Sequence, residues 1–113
     1  MNNKDLSFKQ SLQYKLAEAC KENNLPFFKE LLFSQKYSHY DRKQLSNTAF
    51  LAAYMDSNES FIRYLILDYR IEKTELVNRF LSEDMLKLFN LRSIVIELES
   101  LAVNQKNNIL EKI

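Results

Sequence analysis

The sequence predicts an all-α fold of about three stacked helix-turn-helix units, on three observations. A small apolar pattern recurs, two adjacent apolar residues followed three positions later by another: Phe27-Phe28…Leu31, Phe61-Ile62…Leu65 and Ile94-Val95…Leu98, at steps of 34 and 33 residues. Recurrence at this length is what stacked helix pairs leave behind, because each unit must present the same stripe to its neighbour. Helical periodicity runs almost from end to end. Glycine is absent and proline occurs once, which removes the residues that tight β-hairpin turns require. Asparagine, present eleven times, is the next most tolerant residue in the left-handed region where helices end. An irregular helical bundle is the alternative architecture.

The elements follow in order. Ser7-Phe8-Lys9-Gln10 has the form of a capping box, and the helix it opens carries Phe8, Leu12, Leu16 and Ala19 on one face, with Asn23 as its left-handed stop. Pro26 sits where a second helix starts, since its missing amide hydrogen costs nothing in a first turn; that helix presents Phe27, Phe28, Leu31 and Leu32. Asp41-Arg42-Lys43-Gln44 is a second capping signal, opening a helix that buries Leu45, Ala49, Ala52 and Ala53. Asp56-Ser57-Asn58 breaks it, and a fourth helix carries Phe61, Ile62, Leu65, Ile66 and Tyr69. Glu72-Lys73-Thr74 begins a fifth segment with Leu76, Phe80 and Leu81, and Ser82 restarts a helix before Met85, Leu86 and Phe89. A last helix is expected from about Ser93 through Ala102, followed by a polar tail over 104–113 that is expected to fray. Residues 1–103 are thus read as one domain.

Composition narrows the function classes. With 46 % hydrophobic and 27 % charged residues the chain is neither disordered nor membrane-spanning by type. A formal net charge of +1 gives no global electrostatic case for nucleic acid or anionic lipid. The N-terminal residues lack the basic start and apolar run of a signal peptide, so the expected location is the cytoplasm, or a host cell reached by export without a classical signal peptide.

Overlaid, the first two copies carry more than the apolar pair. The run Ala19-Cys20-Lys21-Glu22-Asn23-Asn24-Leu25-Pro26-Phe27-Phe28-Lys29-Glu30-Leu31-Leu32 resembles the ankyrin-repeat consensus, in which two small residues end an inner helix, a Gly-centred turn follows and an aliphatic pair opens the outer helix. Asn23 stands at the family's glycine. Thr48-Ala49-Phe50-Leu51-Ala52-Ala53 is similar to the T-P-L-H-x-A signature with one residue fewer. In a third unit Asn90 falls on the turn and Ile94-Val95…Leu98 on the outer helix, with Met85 and Leu86 in place of the small pair. The resemblance spans residues 12–102 and implies an ankyrin-like solenoid that binds a protein through its finger loops. The loops lack the Asp-Gly of a β-hairpin finger.

Groups for catalysis are scarce. His39 is the only histidine, Cys20 lies on the buried face beside Ala19, and no Cys/His spacing suits a metal; no enzyme activity, cofactor or metal site is expected. The candidate binding residues are Tyr37, His39, Tyr40, Arg42 and Lys43, crowded into the connection between the first two units, with Tyr69 and Arg70 in the next connection. Tyr and Arg combine large contact area with hydrogen bonding and are enriched at interface hot spots. The function expected is stoichiometric binding of another protein, as an inhibitor or immunity-type protein or as a host-directed bacterial or phage adaptor, and self-association is compatible with it. The alternative is a small helical DNA-binding regulator, for which residues 76–94 supply a helix-turn-helix outline, though Lys87 and Arg92 are the only cations on its second helix.

Overall fold

Two helical hairpins closed by the same turn form the body of the molecule, for which a computed structural model describes residues 11–111, with side chains to 105. The Ser7 capping box and Phe8 lie outside the described residues. In the first hairpin α1 (Leu12–Lys21) is capped by the Ser11 hydroxyl, which accepts from the Tyr14 amide at 3.2 Å. It ends in a Schellman turn: the Asn24 amide donates to the Ala19 carbonyl at 2.8 Å and the Asn23 amide to that of Cys20 at 3.1 Å. Asn23 takes φ 54°, the left-handed conformation expected of it. Asn24 then caps α2 (Leu25–Leu32) through Oδ1, accepting from the Phe27 amide at 3.1 Å, so Pro26 falls within the first turn where it lacks nothing.

Thirty-four residues on, the same arrangement returns. The predicted capping box is formed reciprocally by Asp41 and Gln44, with bonds of 2.7 and 3.0 Å, and opens α3 (Arg42–Met55). Asn58 donates its amide to the Ala53 carbonyl and Ser57 to that of Tyr54, both at 3.0 Å, with Ser57 at φ 52°. Asn58 Oδ1 caps α4 (Glu59–Tyr64) on the Phe61 amide.

Three contacts stack the hairpins. Helices α1 and α3 are in contact, and the small residues they carry, Ala19, Cys20, Ala49, Ala52 and Ala53, are all buried, a composition that permits close approach of the backbones. On the outer helices Phe28 meets Phe61 edge-on at 4.9 Å between ring centres. At the turns the Asn58 side-chain amide donates to the Cys20 carbonyl at 3.2 Å and to Asn23 Oδ1 at 3.3 Å.

Beyond Tyr64 the structure departs from the expected repeat. The α4 helix widens into a π turn, Leu65–Tyr69, and closes with Arg70 at φ 65° while the Ile71 amide reaches back to the Leu65 carbonyl at 2.9 Å. The following connection is tied to α3: Ser46 Oγ accepts from the Glu72 amide at 3.0 Å, and Thr74 Oγ1 donates to Asn47 Oδ1 at 2.5 Å. Thr74 also caps α5 (Glu75–Phe80), and Ser82 starts α6 (Glu83–Glu111) by accepting from the Met85 amide.

The third unit does not form. Asn90 lies inside α6 instead of on a turn, the helix starts at Glu83 and not near Ser93, and it continues through 104–111, the stretch expected as a polar tail. Leu98, expected to match Leu31 and Leu65 in the core, is exposed, as are Ile94 and Val95, while Leu65 is fully buried. The reason is local: Met85 and Leu86 stand where the first two units carry the small pairs Ala19-Cys20 and Ala52-Ala53, so the close helix approach that a turn here would require is blocked and the helical ladder continues. No strand occurs among the described residues, so the first connection holds a 3₁₀ turn (Gln35–Tyr37) and no β-hairpin finger. No described helix, α6 included, is long and apolar enough to cross a membrane.

Leu65→Ala should therefore destabilise the fold by roughly 2–5 kcal/mol in urea unfolding, since it empties a site with no route to solvent. Asn58→Ala should cost about 1–3 kcal/mol, clearly more than the roughly 1 kcal/mol of Asn24→Ala, because only Asn58 also bonds the neighbouring hairpin. Equal losses at the two asparagines would show that the bridge between turns contributes nothing.

Candidate functional site

The two connections that carry the candidate residues meet in space. Arg42, in the first turn of α3, directs its guanidinium to the Arg70 carbonyl. That carbonyl follows the π turn and the left-handed Arg70, so no helical amide is left to bond it. Arg92 of α6 does the same for the preceding and following groups, donating to the Ile71 carbonyl at 2.6 Å and more weakly to that of Ile66 at 3.5 Å. The α4 end is thus closed by two cations from other elements, the sign its dipole favours. Arg70 points its own guanidinium to Glu99 on α6, at 2.8 and 3.0 Å to the two carboxylate oxygens.

Three guanidinium groups consequently share one region. Burial lowers the Arg92 pKa, and the charges of Arg42 and Arg70 lower it further, although an arginine remains protonated throughout the accessible pH range. Arg92 also stacks 4.6 Å from the Phe89 ring centre. Among the described residues Glu99 is the one carboxylate bonded to this group.

Aromatic side chains line the same side. Tyr69 is half-buried, and burial pushes its phenol up while Arg42 pulls it down. Phe33, at 70 % exposure, meets Tyr69 edge-on at 5.4 Å. His39 and Tyr40 are 4.8 Å apart between ring centres, His39 exposed and Tyr40 half-buried. Lys43 is exposed beside Arg42. Tyr37 differs from expectation: at 9 % exposure it packs into the core, with the Tyr40 ring 6.3 Å away, and anchors the connection from within.

Sequence reasoning missed Phe33, Arg92 and Glu99 as parts of this surface. Phe33 carried a signal, because it falls off the buried stripe of Phe28, Leu31 and Leu32. Glu99 reads in the sequence as an ordinary solvated charge, and its pairing depends on the path of α6.

Cys20 is buried, and desolvation, with a smaller contribution from Asp56, pushes its thiol up to about 12. A thiol held neutral is a poor nucleophile. Among the described residues no group of three or more His, Cys, Asp or Glu side chains is placed to hold a metal ion. In the helix-turn-helix outline of α5 and α6, Arg92 is taken up by carbonyl oxygens and Lys87 lies 3.6 Å from Asp84. No protein-family model matches the chain, and no curated protein or solved structure is significantly similar to it.

Native Cys20 should react with a thiol reagent only as fast as the domain opens. Its raised pKa means that the folded state holds the proton more tightly than the unfolded chain, whose thiol titrates near 9. The contribution is complete below about pH 9 and is lost as pH rises toward 12, at up to about 1.4 kcal/mol per pH unit. In Cys20→Ala that part of the alkaline loss of stability should vanish, which paired denaturation curves would measure.

Proposed function

We propose that this protein acts by stoichiometric binding of another protein, through the surface shared by the 37–43 connection and the 69–70 turn. The observation that carries this reading is the gathering of Arg42, Arg70 and Tyr69 from two connections, beside the exposed Phe33 and Lys43. A chain whose formal charge is only +1 concentrates cations there against Glu99, the one carboxylate bonded to them among the described residues. Such a surface fits a partner segment that offers carboxylates around an apolar centre, since guanidinium groups bind carboxylates directionally and Tyr and Phe supply contact area.

The identical turns at Asn23 and Ser57, and the 34-residue offset between them, support reading the two hairpins as degenerate ankyrin-like units, with α5 and α6 as a non-repeating cap. Roles of this kind include inhibitors, immunity-type proteins and host-directed adaptors.

Affinity capture from the native cell with the full chain, repeated with surface variants, tests the proposal. Tyr40→Ala and Arg42→Ala should each weaken the captured complex by more than about 1 kcal/mol, with helicity retained by circular dichroism. Random duplex DNA should not be retained at low salt. Wild-type binding by both variants would overturn the assignment of the surface.

A further inference from the structure

We infer that two copies of this chain associate through the outward side of α6. The helix is apolar on opposite sides. Phe89, Arg92 and Glu99 turn toward the body, where Phe89 is buried and the other two bond the α4 end and Arg70. Helical spacing places Leu91, Ile94, Leu98 and Leu101 on the side away from it, with Val95 and Ala102 adjoining. These large residues are exposed, at 46 % for Leu91, 54 % for Ile94, 38 % for Val95, 59 % for Leu98 and 51 % for Leu101. The body occupies the other side around Phe89 and Arg92; farther along that side Ile96, at 39 %, and Val103, at 57 %, are exposed as well.

Four features point to a like helix as the occupant. The steps 91, 94, 98, 101 and 105 alternate three and four, the spacing of a seam that packs against another helix. The seam positions from Leu91 through Gln105 carry no charge, so two copies meet without repulsion, and the near-neutral chain adds none. The exposed apolar surface of the five large residues is on the order of 400 Å², close to the apolar half of the roughly 800 Å² per partner that a stable interface buries. Finally, α6 runs to Glu111, and an isolated helical extension with bare apolar residues is marginal in water without a partner. A two-fold pairing supplies one whose length and register match by construction.

Sedimentation equilibrium of the full chain, from low to high micromolar concentration, tests this. The wild type should approach twice the 13.5 kDa of one chain, while Leu98→Lys should remain at a single chain mass with its helicity kept. Asn104→Lys, off the seam, should behave as wild type. Amides at 93–105 should exchange with deuterium more slowly as wild-type concentration rises, a readout that needs no variant. A wild type that stays at one chain mass throughout, exchange at 93–105 independent of concentration, or a folded Leu98→Lys that still doubles, would overturn the inference.

Discussion

The close approach of α1 to α3 is the constraint on which the rest of the body depends. Ala19, Cys20, Ala49, Ala52 and Ala53 leave the two backbones near enough that the turns ending these helices lie side by side. Only at that separation can the short Asn58 side chain reach both the Cys20 carbonyl and Asn23. The outer helices inherit the same offset through identical turns, and so Phe28 finds Phe61. A branched side chain anywhere along the seam would separate both layers, because close-packed interiors pass on an added methylene as displacement.

Where the chain speaks through local chemistry, its structure was legible. The Asp41 capping box, the left-handed Asn23, the breaks near Asp56 and Ser82 and the burial of Phe28, Leu31, Phe61 and Leu65 all follow from short-range signals. The third unit shows where such signals stop. Ile94-Val95…Leu98 has the spacing of the earlier outer helices, but periodicity records that a stripe exists and not that anything lies against it. The surface was half legible for a related reason. Composition flagged the Tyr, Arg and Lys residues of both connections, yet the inward placement of Tyr37 and the meeting of Arg42 with the Arg70 carbonyl depend on the π turn, which has no marker in the sequence.

That turn takes the chain out of the hairpin pattern of its first half. A helix ending without glycine or a Schellman closure leaves carbonyl groups to be satisfied from outside. Two arginines, from α3 and α6, do this, and in doing so they pin the first turn of one helix and the middle of another to the same point. The charge that stabilises the fold thus also gives this side of the protein its chemical character.

Arg70 combines two demands that usually fall on separate residues. Its backbone at φ 65° would be relaxed by glycine, while its side chain holds Glu99 on a helix 29 positions away in sequence. Glycine would ease the main chain and forfeit the bridge; lysine would keep the charge on a shorter side chain but not ease the main chain; a β-branched residue would fail on both counts. Under random substitution this position should therefore drift far more slowly than Ser57, which shares its left-handed backbone but whose side chain bears no comparable duty. A half-buried turn residue of this kind carries the mutational intolerance ordinarily seen in a fully buried one.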